Sequence, residues 1–245
     1  SVVSNVAADH LETLGPTLED VAREKAGIFR RGRLALTTER GGLLRVLRAE
    51  AARVGADLEE VAPSEEWDGL SPLVGAHQRE NVTLGVAAAH AMSTLDTETV
   101  RRGVTATRWP GRLQTVPRPG SRPLLVDGAH NPAGAAAVAA FLDASGLAGR
   151  VDLVFGALGD KAVEGMFAPL AERAGRVVLV APDSPRAIPP ETLAARLGRG
   201  DLPRAASLAE ALALLGGAED DAPILVAGSL VLAGEALALV ERRDA

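Results

Sequence analysis

Four short apolar runs in the second half of the chain restrict its fold more than any other feature. They are PLLVD (123–127), VDLVFG (151–156), RVVLVA (176–181) and PILVA (223–227). Each is too short for a buried helix and too continuously apolar for a strand with one wet face, so each is expected to be covered on both sides. Helical stretches separate them: an Ala-rich one reaching about 144, then 161–174, 189–197, 207–216 and 229–242. That alternation predicts an α/β fold, a mostly parallel sheet with helices on both faces. Composition fits this reading. Hydrophobic residues make up 47% of the 245 but aromatic ones only 2%, with no Tyr, so the core has to be built from Ala, Val and Leu.

The first half is less regular. It suggests strands at 1–6 and 33–38 and helices at 17–25, 42–54, 77–92 and 97–103, with a loose stretch at 62–74 that carries Trp67. Residues 107–116 (TRWPGRLQTV) read as a linker or hairpin entering a second domain. The expected division is 1–104 and 105–245. The opening SVVSNVAADH, a β-rich phrase without an initiator Met, looks like the middle of a domain.

Several function classes are disfavoured. The net charge is −6 and no basic block exceeds short arginine pairs such as Arg30-Arg31, so no nucleic-acid partner is expected. Without cysteine there is no disulfide, thiolate nucleophile or thiolate metal site. No signal peptide and no apolar run of about 18 residues occur, so a soluble cytoplasmic chain acting on a small molecule, with no membrane partner, is expected. The phosphate-cradling G-x-x-x-x-G-K-[ST] is not present, nor are G-x-S-x-G, H-E-x-x-H or a strand-following G-x-G-x-x-G.

The loop VDGAHNPAG (126–134) is the strongest chemical signal. In open α/β sheets ligands bind where strands end and helices begin. Asp127 ends the strand, Gly128 permits close approach, and His130 and Asn131 stand over a helix that Pro132 can start. A capping Asn131 and a solvated His130 are the simpler alternative. Asp9 and His10 could share a divalent ion or merely cap a turn. His77 and Asn81 lie four apart on one helix face, where an amide could read a purine edge, although capping explains them as well. Arg112 suits phosphate or an interdomain ion pair. Lys161 could hold a carboxylate, and Ser229 is an N-cap first and a substrate contact second. Lys25, after an acidic helical turn and before AGIF, is either a cation at a helix C-terminus or a lysine beside a reaction centre.

In order, DHLETLGPTLEDVAREKAGIFR, HQREN, WPGRLQ, VDGAHNP, GALGDK, PDSPRA and AGSL closely resemble the folylpolyglutamate synthase/dihydrofolate synthase family of the Mur ligase superfamily. The resemblance implies part of a central ATPase domain followed by a Rossmann-like C-terminal domain. It implies ATP and Mg²⁺ as cofactors. A dihydropteroate or (tetrahydro)folate carboxylate would be activated as an acyl phosphate, and L-glutamate would be the incoming amine. It also implies a monomer.

By the same resemblance, His10 is a Mg²⁺ ligand and Lys25 a carbamylated lysine whose oxygens help position the metal. Asn81 contacts adenine, Arg112 the ATP phosphates and Asp127 the nucleotide. His130 lies near the phosphates or the glutamate, and Lys161 and Ser229 bind glutamate. The family's P-loop and acidic Mg²⁺ ligand precede the region that this chain resembles. The expectation is therefore an N-terminally truncated ligase, inactive alone. The alternatives are a non-catalytic homologue that binds nucleotide or glutamate, and a chain that complements a separately encoded P-loop half.

Overall fold

The computed structural model describes residues 1–8, 11–159, 162–216 and 222–241, and the chain divides into two compact units, Ser1–Arg108 and Trp109–Ala245. In the first unit the order is β1 (Val2–Val3), α1 (Leu11–Leu14), α2 (Leu18–Ala26), β2 (Leu34–Thr37), α3 (Gly41–Val54), β3 (Asp57–Glu60), α4 (Ala76–Met92) and α5 (Thr97–Ala106). The strands form a parallel sheet in the order β1-β2-β3.

Helix α2 starts where the chain supplies a capping box. The Thr17 hydroxyl accepts the Asp20 N–H, while the Asp20 carboxylate accepts the Thr17 N–H. Val21, Ala22 and Ala26 then pack with Val3, Phe29, Ala35 and Leu47 in one cluster. Strand β3 has no counterpart in the sequence reading. Its DLEE is an edge strand whose Glu60 pairs with Arg48 at 3.2 Å, and an acidic run of that kind reads as solvated chain. The 62–74 stretch is built of turns and is anchored by Trp67, which is buried against Val100 and Val104 of α5.

The second unit runs β4 (Gln114–Val116), β5 (Leu124–Val126), α6 (Pro132–Ala144), β6 (Val151–Phe155), α7 (Val163–Ala171), β7 (Ala174–Val180), α8 (Pro190–Arg196), β8 (Arg204–Ala205), α9 (Leu208–Leu215), β9 (Ile224–Ala227) and α10 (Leu230–Glu241). The sheet order is β4-β5-β9-β6-β7-β8, parallel except for β4. Both faces are covered, as the apolar runs require. Leu125, Leu153, Phe155 and Leu225 face α6, α7 and α8, and Leu124, Val126, Val154 and Val226 face α9 and α10. Helix α7 is shorter than the 161–174 expected, because β7 already begins at Ala174.

A buried ionic cluster closes the end of the sheet where the parallel strands start. Asp152, the second residue of β6, takes Arg122 Nη1 and, at 2.6 Å, Arg176 Nη2 on one oxygen; its other oxygen accepts the Arg176 backbone N–H at 2.8 Å. The Arg122 guanidinium also donates to the carbonyls of Ala222 at 2.7 Å and Leu215 at 3.2 Å. Arg122 and Asp152 are 8% and 6% exposed, so these bonds are made away from water. They fasten the end of α9 and the approach to β9 to β6 and β7.

Candidate functional site

The strand order sets the site. The chain leaves β5 and β6 over the α6–α7 face but leaves β9, which lies between them, over the α9–α10 face. Helices departing in opposite directions open a crevice at the carboxyl ends of those strands, the usual ligand position in such sheets. The loops there are 127–131 after β5, 156–159 after β6, 181–189 after β7, and 228–229 after β9.

These loops are stitched to one another through backbone. Gly128 N–H donates to Gly111 O at 2.8 Å, Gly228 N–H to Ala129 O at 3.1 Å, and Gly156 N–H to Ala227 O at 3.3 Å. Gly228 has φ +108°, and a Cβ built on it would lie 2.6 Å from Gly156 O and 2.8 Å from the Phe155 ring. A side chain there has to push apart the loops it joins. Gly228→Ala is expected to destabilise the second unit by about 1–3 kcal/mol, read as a lowered thermal midpoint. An unchanged midpoint would contradict this packing.

Asp127 is the centre of the arrangement. It is buried, and its two carboxylate oxygens accept the N–H groups of Leu113 at 2.8 Å and Ala129 at 2.7 Å. One side chain therefore shapes both its own loop and the WPGRLQ turn. That turn needs support, because Leu113 has φ +45°, the only positive value among the described non-glycine residues. Such backbone costs about 1–3 kcal/mol and persists where surroundings over-determine it. Gly111 N–H donates to Gln114 Oε1 at 3.0 Å, a further tie across the turn. Between these anchors, Arg112 is half-buried and its guanidinium makes no hydrogen bond or ion pair among the described residues.

His130 is half-buried, with Nδ1 2.9 Å from Gly128 O. A carbonyl only accepts, so Nδ1 carries a proton, and in the neutral ring Nε2 holds the acceptor lone pair. Asn131 is the N-cap of α6, its Oδ1 accepting Gly134 N–H at 2.8 Å, with Pro132 in the first turn. Ser229 is 1% exposed and its Oγ accepts Val231 N–H at 3.1 Å, a capping contact at the head of α10. The structure thus brings Arg112, Asp127, His130 and Ser229 to one end of one sheet. Lys161 lies outside the described residues.

Glu235 of α10 escaped the sequence reading. Its Oε1 accepts Asp183 N–H at 2.7 Å and so pins the loop after β7. Leu158 and Ala187 then form an antiparallel bridge that ties this loop to the one after β6. Burial pushes the Glu235 carboxyl up, aided by the nearby Asp183 charge and partly offset by the Asp183 N–H.

In the first unit, Asn81 is exposed on α4 and donates to Gln78 Oε1 at 3.1 Å. It lines an apolar cleft of about 480 Å³ with Val82, Val86, Leu95 and Val100. Lys25 is exposed in the last turn of α2, where its charge faces the carbonyl end of the helix. His10 lies outside the described residues. Among the described residues no group of three His, Cys, Asp or Glu side chains could hold a metal ion, and no helix is long and apolar enough to cross a membrane.

Residues 111–230 match the family described as Mur ligase, glutamate ligase domain. A Bacillus subtilis (strain 168) dihydrofolate synthase/folylpolyglutamate synthase is 31% identical over 76% of this chain and 50% of its own length. A Mycobacterium tuberculosis folylpolyglutamate synthase, solved in complex with ADP and AMPPCP, superposes with a TM-score of 0.84 at 29% identity, over 98% of this chain and 63% of that one. An Escherichia coli FolC in complex with DHPP and ADP gives 0.84 at 28% identity, over 100% and 62%. The chain thus spans about half to three-fifths of the length of these three proteins.

Proposed function

Because this chain belongs to the folylpolyglutamate synthase/dihydrofolate synthase family, we propose that it supplies part of an ATP-dependent ligase that adds L-glutamate to dihydropteroate or to (tetrahydro)folates. The first unit is part of the central ATPase domain and the second is the Rossmann-like ligase domain. The whole protein works as a cytoplasmic monomer.

The observation that carries the reading is the loop cluster at the strand ends of the second unit, within the stretch that matches a glutamate ligase domain. Its chemistry suits the reaction. Arg112 offers an anionic phosphate a planar fork that has no partner among the described residues, a good match for a nucleotide. ATP supplies the phosphoryl group that turns the acceptor's carboxylate into an acyl phosphate. The glutamate amine then displaces phosphate, giving amide, ADP and phosphate. His130 Nε2 is the nitrogen suited to hold a proton in that exchange. Asp127 keeps the 109–114 turn and the 127–131 loop in register and faces the nucleotide; Asn81 reads adenine, and Ser229 and Lys161 bind glutamate.

Mg²⁺ would screen the phosphates when bound, held by His10 and a carbamylated Lys25. A carbamate on Lys25 is directly observable. Labelled bicarbonate is expected to give a carbamate resonance that vanishes in Lys25→Arg, and a resonance unchanged in that variant would remove the assignment. The activity itself is tested by expressing the complete reading frame and following ADP release. Release that requires both glutamate and a pteroate or folate acceptor is expected. ADP release indifferent to glutamate would contradict the proposal.

A further inference from the structure

The geometry points to Trp109 as a stacking platform for the base of the nucleotide whose phosphates Arg112 holds, an assignment that rests on the nucleotide-binding reading above. The chain has only two tryptophans. Trp67 is 6% exposed and belongs to a core cluster, whereas Trp109 is 64% exposed, a large apolar ring left facing water. Isolated exposed apolar side chains are ordinary on protein surfaces. What distinguishes Trp109 is the turn that carries it.

That turn is held harder than a surface loop requires. It contains the positive φ of Leu113, and it is fixed from three sides by Asp127, Gly128 and Gln114. Strained, over-determined backbone of this kind is concentrated at ligand sites, where it fixes side chains in advance of binding. The side chains it presents are an indole face and, three residues on, a guanidinium with no partner among the described residues. A π surface and a phosphate-matching fork carried on one turn are complementary to a flat heteroaromatic base joined to a phosphate chain. A pterin is also flat, but its substrates present a carboxylate in place of the phosphate chain, so the pair favours a nucleotide.

The test uses the protein of the complete reading frame and ADP. Calorimetric titration with ADP is expected to show binding, and Trp109→Ala is expected to weaken it about tenfold or more. Trp109→Phe, which keeps an aromatic face, should stay within about threefold of the parent. The part of the ADP-induced change in tryptophan fluorescence that comes from Trp109 should be missing in Trp109→Phe. An unaltered thermal midpoint in Trp109→Ala is expected for so exposed a ring and separates stacking from folding. ADP binding with parent-like affinity in Trp109→Ala overturns the platform alone, as does a Trp109 signal that answers to a pteroate and not to ADP. Failure of the parent to bind ADP overturns the platform together with the nucleotide role of Arg112.

Discussion

Arg122→Met is expected to destabilise the second unit by about 3–5 kcal/mol, the usual cost of leaving one member of a buried ion pair behind. The loss is larger than one contact. The Arg122 guanidinium serves Asp152 and the carbonyls of Ala222 and Leu215, so methionine takes one donor from each of three acceptors, two of which Arg176 still reaches. Arg176 remains on Asp152 but is itself about half exposed, and it cannot reach every group that Arg122 reached. The double variant Arg122→Met, Asp152→Leu should recover much of the loss, because a pair replaced by apolar groups leaves no buried charge unpaired. Denaturant melts of the three proteins test both statements. A parent-like midpoint for Arg122→Met would mean that water already serves the cluster.

The same cluster is expected to contribute to the loss of the unit's stability in acid. Burial by itself would raise the Asp152 carboxyl, but hydrogen bonds from Arg176 and Arg122, with their charges, outweigh it and hold the group below its ordinary range. A carboxylate depressed in the folded state stabilises fully above its unfolded pKa of about 3.9. That stabilisation is lost as pH falls through the lower folded value. The denaturation midpoint should therefore drop below about pH 4 in the parent, and less steeply in the double variant. Glu235 has the opposite sign. Its raised pKa favours the folded state below the unfolded value, and that gain disappears as pH rises through the folded one.

Asp127→Ala is expected to have the second large effect, on stability and on ligand binding together. It strands the N–H groups of Leu113 and Ala129, at about 1–3 kcal/mol for each buried donor left unsatisfied. Leu113 then lacks the bond that holds its left-handed conformation, and the turn bearing Trp109 and Arg112 can relax. ADP affinity should fall together with the thermal midpoint. Asp127→Asn should be nearly as damaging, because its NH₂ group would face one of the two N–H donors. Intact ADP binding in a folded Asp127→Ala protein would show that the turn does not depend on this carboxylate.

The architecture was legible where burial writes itself into consecutive residues. The runs at 123–127, 151–156, 176–181 and 223–227 appear as β5, β6, β7 and β9, each covered on both faces. Strand β3 was not legible, because an edge strand needs no apolar sequence and DLEE has none to show. The ionic cluster was equally hidden: Arg122, Asp152 and Arg176 are far apart in the chain, and no local pattern joins them.

For the site, VDGAHNP gave away its position at a strand end, but not what Asp127 does there. A carboxylate that binds a backbone N–H 14 residues earlier leaves no local pattern. Trp109 lay inside a motif that had drawn attention only to its arginine, and exposure is what separates it from Trp67. Local chemistry made Lys25 a helix-terminal cation, and the structure places it there, in the last turn of α2. Its proposed carbamate depends on the family, not on any contact in the first unit.

The central claim is that these residues belong to an enzyme that joins glutamate to a pteroate or folate carboxylate. Mass spectrometry of the products made by the complete reading frame tests it most directly. With ATP, magnesium and L-glutamate, dihydropteroate or tetrahydrofolate is expected to yield a product one glutamyl residue heavier, in step with ADP formed. A folded protein that binds ADP yet leaves both acceptors unextended would contradict the account.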